Sequence, residues 1–400
     1  MNQLLDLLQP YPFERLAALK AGITPAARSS ISLSIGEPKH LPPALVMQQL
    51  AASLQQVSVY PKTKGLDALR EAIALWLEQR FKLPAQSVSA DQQVLPLNGT
   101  REGLFAFIQA CITPGSGARV LMPNPFYQIY EGATLLAGAE PVFLNCDRAH
   151  SYLPDFDAVD EQTWRHCRLL IVCTPGNPTG AVLPEATLVK LIKLADQYDF
   201  IIASDECYSE IYFDEARPPV GLLEACASIG RTDYKRCVVF HSLSKRSNLP
   251  GMRSGFIAGD ADVIGEFLRY RTYHGCAMSE PVQLASISAW QDEAHVIENR
   301  QVYQRKFQRV LETLDGCLDV TMPDAAFYLW PQLPEDDEVF CQQLFAAENV
   351  TALPGQYLSR TAANGINPGS QHARLALVAT EDECVEAALR IKRFVAERYR

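Results

Sequence analysis

Residues 200–208 read Phe200-Ile201-Ile202-Ala203-Ser204-Asp205-Glu206-Cys207-Tyr208, a short apolar run that ends in polar residues. Similar runs, separated by segments long enough for a helix, lie at Val94–Leu97, Val120–Met122, Leu169–Cys173 and Val238–Phe240. Runs this short, rich in Val, Ile, Leu and Phe and bounded by turn residues, are typical of strands covered by helices on both faces. The alternation predicts an α/β fold with a largely parallel sheet, to which Gly255–Ala258 adds a further strand.

The pattern changes toward the end of the chain. We expect a long helix, followed by strands and helices that form a second, α+β unit: a helix over Pro281–Leu314, strands over Cys317–Met322, Phe327–Pro331 and Arg374–Val378, and helices over Asp337–Glu348 and Asp382–Tyr399. The predicted division is an N-terminal arm with the start of the small domain over 1–45, a large domain over 46–285 and a small C-terminal domain over 286–400.

Composition excludes several classes of function. The 400 residues carry 36 Lys and Arg against 46 Asp and Glu, a net charge of −10 that argues against nucleic-acid binding. No apolar run approaches the roughly 20 residues of a membrane-spanning helix, and residues 1–12 lack the basic and apolar regions of a signal peptide. The 11 cysteines are scattered without a Cys-x-x-Cys pair. We therefore expect a cytoplasmic protein with no nucleic-acid partner, no membrane partner and no metal site.

Polar residues follow the predicted strands at the edge where an open α/β sheet binds its ligands. Asn98-Gly99-Thr100-Arg101 lies between a strand and a helical run. Free backbone N–H groups, the helix dipole and a glycine attract an anion at such a turn, although an ordinary helix cap has the same pattern. Ser242, Ser244 and Arg253 offer hydroxyl and guanidinium donors to the same anion. Neither a P-loop nor a Gly-x-Gly-x-x-Gly nucleotide motif is present.

Two charged residues follow buried strands. Lys245 comes after an apolar strand and a Ser-x-Ser cluster; most lysines are simply solvated, but one that is partly desolvated has a lowered pKa and can form a Schiff base. Asp205 ends the central run and needs a partner there. That partner is either a structural arginine or the protonated nitrogen of a pyridine ring. Tyr208 and Asn177 offer groups that bond a phenolate oxygen, and Tyr127 offers a ring for stacking, although Tyr and Asn are common in loops.

An anion cradle, a Schiff-base lysine, a buried aspartate and a stacking ring together describe a pyridoxal-phosphate site. The order and spacing of the motifs resemble the fold-type I aminotransferases of class I/II, over about residues 30–380. The matching pieces are Gly36-Glu37-Pro38, Tyr60-Pro61, Leu69-Arg70, Asn98-Gly99-Thr100, Pro125-Phe126-Tyr127, Asn177-Pro178-Thr179-Gly180, Asp205-Glu206-Cys207-Tyr208, Ser242-Leu243-Ser244-Lys245, Gly251-Met252-Arg253-Ser254-Gly255 and Arg374. The resemblance implies a large domain with a mostly parallel, seven-stranded sheet and a smaller α+β domain.

The same resemblance implies roles for these residues. Lys245 forms the Schiff base with pyridoxal 5′-phosphate and moves the proton, while Asp205 pairs with the ring nitrogen. Tyr208 and Asn177 bond the ring oxygen, and Tyr127 stacks on the ring. The phosphate is held by Gly99, Thr100, Arg101, Ser242, Arg253 and Ser244, with Tyr60 reaching it from the other subunit of a homodimer. Arg374 binds the substrate α-carboxylate, helped by Asn177 and the Gly36 backbone.

Longer stretches resemble the proteobacterial N-succinyldiaminopimelate aminotransferases: Gln9-Pro10-Tyr11-Pro12-Phe13-Glu14, Ser34-Ile35-Gly36-Glu37-Pro38-Lys39-His40, Asn98-Gly99-Thr100-Arg101-Glu102 and residues 124–132. That family exchanges an amino group between glutamate and N-succinyl-2-amino-6-oxopimelate, in the diaminopimelate route to lysine. Lys39, Lys62, Lys64 and Arg101 are candidates for the distal carboxylate of such a substrate.

Three alternatives stay open on the sequence. They are another class I/II aminotransferase (for aspartate, alanine or aromatic substrates), a C–S lyase or decarboxylase that uses the same cofactor, and a non-catalytic regulator. The arm before residue 30 is too short for a helix-turn-helix, and the intact Lys245 opposes a pure binding role.

Overall fold

The computed structural model describes residues 1–362 and 364–399. Its strands are β1 (Ile31–Ser32), β2 (Val94–Leu97), β3 (Arg119–Asn124), β4 (Glu140–Asn145), β5 (Cys167–Cys173), β6 (Ile201–Asp205), β7 (Cys237–Ser242), β8 (Gly255–Gly259), β9 (Tyr328–Leu329), β10 (Val350–Thr351), β11 (Leu353–Pro354) and β12 (Ala373–Ala376). Its helices are α1 (Pro12–Leu19), α2 (Ala44–Ala52), α3 (Asp67–Arg80), α4 (Thr100–Cys111), α5 (Ile129–Leu136), α6 (Glu161–His166), α7 (Glu185–Tyr198), α8 (Leu222–Ser228), α9 (Leu243–Arg246), α10 (Ala261–His274), α11 (Glu280–Gln291), α12 (Ala294–Leu314), α13 (Asp337–Glu348) and α14 (Glu381–Tyr399).

Seven strands form the central sheet in the order β2-β8-β7-β6-β5-β3-β4. Only β8 runs antiparallel to its neighbours, β2 and β7. The predicted α/β class and the mostly parallel, seven-stranded sheet are therefore confirmed. The parallel order brings the carboxyl ends of β3, β5, β6 and β7 to one edge, where an open α/β sheet holds its ligands.

Side chains alternate between the two faces of this sheet, and each face has its own apolar core. Val172 and Val239 belong to the core that contains residues of α3, α7, α8 and α11. Their neighbours Ile171 and Val238 belong to the core that contains residues of α4, α5 and α10. Because helices cover both faces, the strands read as continuous apolar runs in the sequence.

A third core lies among α12, α13, α14 and the short strands β9 to β12, and it includes Ile31 and Leu33 from near the N-terminus. The strands form a three-stranded sheet, β11-β12-β9, and a two-stranded sheet, β1-β10. The proposed boundaries at residues 45 and 285 stay a prediction, and the last residue of the third range, 400, lies outside the described residues.

Two expectations about elements were wrong, and one strand was not predicted. The helix expected over Pro281–Leu314 is two helices, α11 and α12, because Asp292 between them has an extended backbone, with φ −110° and ψ 122°. Cys317–Met322 is not a strand; it meets its neighbour at one bridge, Asp319 with Gln332. The edge strand β4 was not predicted, although it contains the short apolar run Val142-Phe143-Leu144; most of its residues are half-buried or exposed. Over residues 1–362 and 364–399, no helix is long and apolar enough to cross a membrane.

Candidate active site

The carboxyl ends of the central strands open into a cavity of about 390 Å³. It is lined by most of the residues that the sequence singled out: Gly36, Thr100, Arg101, Tyr127, Asn177, Asp205, Tyr208, Ser242, Ser244, Lys245, Arg253 and Arg374. A larger hollow of about 790 Å³ between α4 and α10 contains none of them. We therefore take the smaller cavity as the candidate active site.

Lys245 lies on the short helix α9, directly after β7. Its Nζ donates a hydrogen bond of 2.5 Å to the backbone oxygen of Gly36. Burial lowers the pKa of this amine to about 8, since the charged form loses its hydration. Roughly one amine in ten is therefore neutral at pH 7, far more than in an exposed lysine, and the neutral form is the one that a nucleophilic lysine requires.

Asp205 ends β6 and is 5% exposed. Its Oδ2 accepts a 2.5 Å hydrogen bond from the hydroxyl of Tyr130, and its Oδ1 accepts one from the backbone N–H of Cys207 at 3.2 Å. Among the residues that the structure describes, no arginine or lysine pairs with it, so a structural ion pair with arginine is not found. Two neutral donors leave a buried carboxylate that can still receive a cation.

Arg374 lies in β12 and is 5% exposed. Its guanidinium donates to Asn177 Oδ1 at 3.0 Å and to the backbone oxygen of Ser34 at 2.7 Å, and it lies 4.6 Å from the centroid of the Tyr328 ring. Its buried Nε has no partner among the described residues, and no described carboxylate pairs with the group. A buried cation without an anion is a receptor for one, and the planar fork of arginine fits a carboxylate.

The predicted anion cradle lies at the start of α4. Gly99 precedes this helix with φ +80° and ψ 152°, a conformation that only glycine adopts readily. A Cβ placed on Gly99 would collide with the guanidinium of Arg253. Ser242 caps α9 by accepting a hydrogen bond from the backbone N–H of Ser244 at 3.1 Å. The backbone N–H groups at the start of α4, the hydroxyls of Ser242 and Ser244 and the guanidinium of Arg253 are donors of the kind that a phosphate group requires.

Other predicted residues have clear positions. The hydroxyl of Tyr208 lies 2.9 Å from the hydroxyl of Tyr328, and burial raises the pKa of Tyr208 well above its ordinary value. Tyr127 is half-buried, with its ring 5.8 Å from that of Tyr130. Tyr60 is 99% exposed and lies outside the lining of the cavity. Within one chain it is not part of the site.

The four basic residues considered for binding a distal carboxylate lie in different places. Arg101 lines the cavity, with its guanidinium carbon 5.4 Å from the centroid of the Tyr11 ring. Lys64 pairs with Asp91 at 2.5 Å and lines a different depression. Lys39 and Lys62 do not line the candidate site.

Tyr11, Phe13, Tyr130 and Tyr328 are among the cavity-lining residues that sequence reasoning left without a role. Tyr130 lies in the first turn of α5, and its contact with Asp205 spans 75 positions, so no local pattern indicates it. Tyr11 and Phe13 belong to the N-terminal arm, which closes one side of the cavity. Nothing local in the sequence indicates that contact.

Known proteins resemble this chain over nearly its whole length. The model of the family "Aminotransferase class I and II" matches residues 28–391. The LL-diaminopimelate aminotransferase of Syntrophobacter fumaroxidans is 31% identical over 396 residues, covering 97% of each chain. The crystal structure of an aminotransferase from Neisseria meningitidis Z2491 has 49% identity and a TM-score of 0.94 over 100% of both chains. The aminotransferase AspB from Helicobacter pylori 26695 has 33% identity and a TM-score of 0.89, over 98% of this chain and 100% of that one. With this match and this site, the chain belongs to the class I and II aminotransferases, and its cofactor is pyridoxal 5′-phosphate.

Proposed function

We propose that this aminotransferase moves an amino group between glutamate and N-succinyl-2-amino-6-oxopimelate, in diaminopimelate and lysine biosynthesis. The observation that carries the proposal is a pair of different cations in one cavity. Arg374 is buried and has no described carboxylate partner, whereas Arg101 is exposed and lies beside the N-terminal arm. Besides the α-carboxylate at its reacting end, a succinylated substrate has two distant carboxylates, one on the pimelate chain and one on the succinyl group. It therefore needs at least one cation away from Arg374, and Arg101 is placed to meet the succinyl carboxylate.

The side chains present fit the cofactor. Gly99, Thr100, Ser242, Ser244 and Arg253 would hold its phosphate, since the last four line the cavity and the Arg253 guanidinium packs directly against Gly99. Tyr127 would stack on the ring, Asp205 would pair with the ring nitrogen, and Tyr208 with Asn177 would bond the ring oxygen. When bound, pyridoxal phosphate supplies a carbonyl that reacts with amines and a ring that accepts electrons from the substrate.

Asp205 and Lys245 then have separate roles in the reaction. Tyr130 and the Cys207 amide donate hydrogen bonds that hold the Asp205 carboxylate in place, where it would pair with the ring nitrogen. Lys245 takes and returns the proton at the substrate α-carbon, which its lowered pKa of about 8 permits.

The residues that would bind the substrate lie on the other side of the cavity. Arg374 orients the substrate through the α-carboxylate, with its fork fixed by Asn177 and the Ser34 carbonyl. Tyr11, Phe13 and Leu358 exclude water from this side.

We also propose a homodimer that works in the cytoplasm. Large apolar side chains of the segment 41–60 are exposed in the single chain, among them Leu41, Val57, Val59 and Tyr60. Several large apolar side chains exposed within one short segment are typical of a subunit interface. The 11 cysteines are all free thiols, which suits a reducing compartment.

The second candidate is transfer from unblocked LL-diaminopimelate, which the names of several relatives favour. The two candidates differ in whether a succinyl group occupies the space near Arg101. We would compare N-succinyl-LL-diaminopimelate with free LL-diaminopimelate as amino donors to 2-oxoglutarate. A higher kcat/KM for the succinylated donor supports our proposal, and a higher value for the free donor supports the alternative.

Two substitutions, tested in the same assay, show which arginine binds which carboxylate of the substrate. Arg374→Lys keeps the charge but loses the planar fork of the guanidinium. The free energy of binding the transition state should therefore weaken by roughly 1–3 kcal/mol, the value of a charged hydrogen bond, and kcat/KM should fall accordingly for both donors. Arg101→Gln should reduce kcat/KM for the succinylated donor much more than for the free donor. Equal losses for the two donors in Arg101→Gln would contradict the role of Arg101 in substrate choice. Arg305→Lys, at an exposed position on α12, serves as the control.

A further inference from the structure

The segment 34–40 links the catalytic lysine to the substrate-binding arginine. The backbone oxygen of Ser34 accepts from Arg374, and the backbone oxygen of Gly36 accepts from Lys245 Nζ. The segment runs beside the chain that continues β12, and the N–H of Lys39 donates to the Val378 oxygen at 3.3 Å. Any shift of this segment would therefore move acceptors away from both Lys245 and Arg374.

His40 anchors the far end of the segment. Its Nε2 lies 2.9 Å from Lys306 Nζ, and its Nδ1 lies 2.8 Å from Asn299 Oδ1. Lys306 is 0% exposed and also donates to the backbone oxygens of Leu377 at 2.9 Å and Ala379 at 2.5 Å. An ammonium group can only donate, so His40 Nε2 must accept and Nδ1 must carry the hydrogen. The contacts therefore require a neutral imidazole with one defined tautomer.

This anchor also reaches the loop that follows the catalytic lysine. Asn299 Oδ1, which receives the His40 Nδ1–H, accepts a second hydrogen bond of 3.1 Å from Asn248 Nδ2. Asn248 lies three residues after Lys245 and has a φ of +53°. His40 thus joins the segment 34–40 to the chain after β12, through Lys306, and to the Lys245 loop, through Asn299.

We propose that neutral His40 is a positioning residue for transamination. It holds the Ser34 and Gly36 carbonyls in place for Arg374 and Lys245, and its protonation releases the segment 34–40. The inference rests on the aminotransferase reaction and not on the identity of the oxo acid.

The surrounding charges set the direction of the pH effect. Lys306 from α12 and Lys39 from the same segment are the cations near His40, while Tyr303 from α12 lies against the imidazole with its ring at 4.6 Å. Glu381, Glu383 and Cys384 at the start of α14 act on Lys306. Burial and the Lys306 charge lower the pKa of His40, and burial lowers the pKa of Lys306 to about 8. His40 is accordingly neutral at pH 7 and becomes charged only in more acidic solution, where it would face the Lys306 cation.

The test uses the holoenzyme with three variants. His40→Gln supplies an oxygen acceptor for Lys306 and an N–H donor for Asn299, but it does not titrate. His40→Ala removes both contacts. His166→Gln changes an exposed histidine on α6 and is the control. We would measure the KM for glutamate from pH 5.5 to 7.5 and, in the same samples, hydrogen exchange of the amides in residues 33–40. Glutamate carboxylates do not titrate strongly in this range.

In the wild type and His166→Gln, we expect KM to rise as the pH falls. We expect the amides of residues 33–40 to lose protection at the same time, with protection measured against the intrinsic exchange rate of an unstructured amide at the same pH. His40→Gln should remove this pH dependence. His40→Ala should raise KM about tenfold at every pH, the effect of one lost hydrogen bond to a charged group. The proposal is overturned if His40→Gln keeps the wild-type pH dependence, or if the protection of residues 33–40 in the wild type does not change together with KM. Should His40→Ala fail to fold, the comparison of wild type with His40→Gln decides.

Discussion

Burial gives the amine of Lys245 a reactivity that an exposed lysine lacks. It donates to a neutral carbonyl, that of Gly36, and no carboxylate in the part of the chain that the structure describes forms an ion pair with the ammonium form. The desolvated charge is therefore costly, and the pKa falls to about 8.

The lowered pKa of Lys245 predicts how the protein without cofactor reacts with amine-selective reagents. The neutral fraction of Lys245 should rise through a midpoint near pH 8, and the labelling rate should rise with it. Peptide mass spectrometry after short labelling pulses between pH 6 and 10 measures the rate, with the exposed Lys193 on α7 as the internal control. If the two lysines showed the same midpoint, desolvation would not be the feature that activates Lys245.

Asp205 and Tyr130 illustrate how a residue acts through its neighbour. Asp205→Ala should keep the cofactor, since the phosphate donors are intact, but lose turnover by orders of magnitude because the ring nitrogen loses its anion. Tyr130→Phe removes only one donor to that anion, and we expect a loss in kcat of about tenfold. Bound cofactor per chain, read from its visible absorbance, is measured beside kcat. Near-native turnover in Asp205→Ala would exclude the proposed role.

Among the elements, the start of α4 shows why a glycine is needed at one particular turn. Gly99→Ala would meet two penalties: a Gly-only backbone conformation and a collision with Arg253. Gly117→Ala is the matched control, since Gly117 also has a positive φ, +70°, but an added Cβ there has nothing within 4 Å. We expect Gly99→Ala to weaken cofactor binding at least tenfold and Gly117→Ala to leave it unchanged. Equilibrium dialysis against pyridoxal phosphate measures both, and equal affinities would remove Gly99 from the phosphate cradle.

The sequence predicted well the strands that are buried on both faces of the sheet. β5, β6 and β7 are covered on both faces and read as apolar runs, and the polar residues after them lie together in the cavity. β4 lies at the sheet edge, and its short run Val142-Phe143-Leu144 was not recognised as a strand. The break between α11 and α12 depends on the backbone at Asp292 and leaves no apolar pattern. The contact of Tyr130 with Asp205 joins residues 75 positions apart, and only the folded chain brings them together.

The whole molecule has a surface that one chain leaves uncovered. Tyr60 is 99% exposed, and its apolar neighbours in the segment 41–60 are exposed with it. The family resemblance gives Tyr60 a cofactor contact, yet it lies outside the cavity of its own chain. Both facts are explained together if a second copy covers this surface and receives Tyr60 into its site.

Hybrid dimers test this arrangement. Lys245→Ala and Tyr60→Ala each damage every site in their own homodimers. When the two proteins are mixed and exchange subunits, each hybrid has one site with both lesions and one site with neither, provided that Tyr60 acts on the partner's cofactor. Random exchange makes half of the dimers hybrids, so the mixture should recover about a quarter of the wild-type activity. If Tyr60 acted within its own chain, no intact site would form, and activity would stay at the average of the two variants. Sedimentation of the same mixture checks the dimer, and a fully active monomer at the assay concentration would contradict the model.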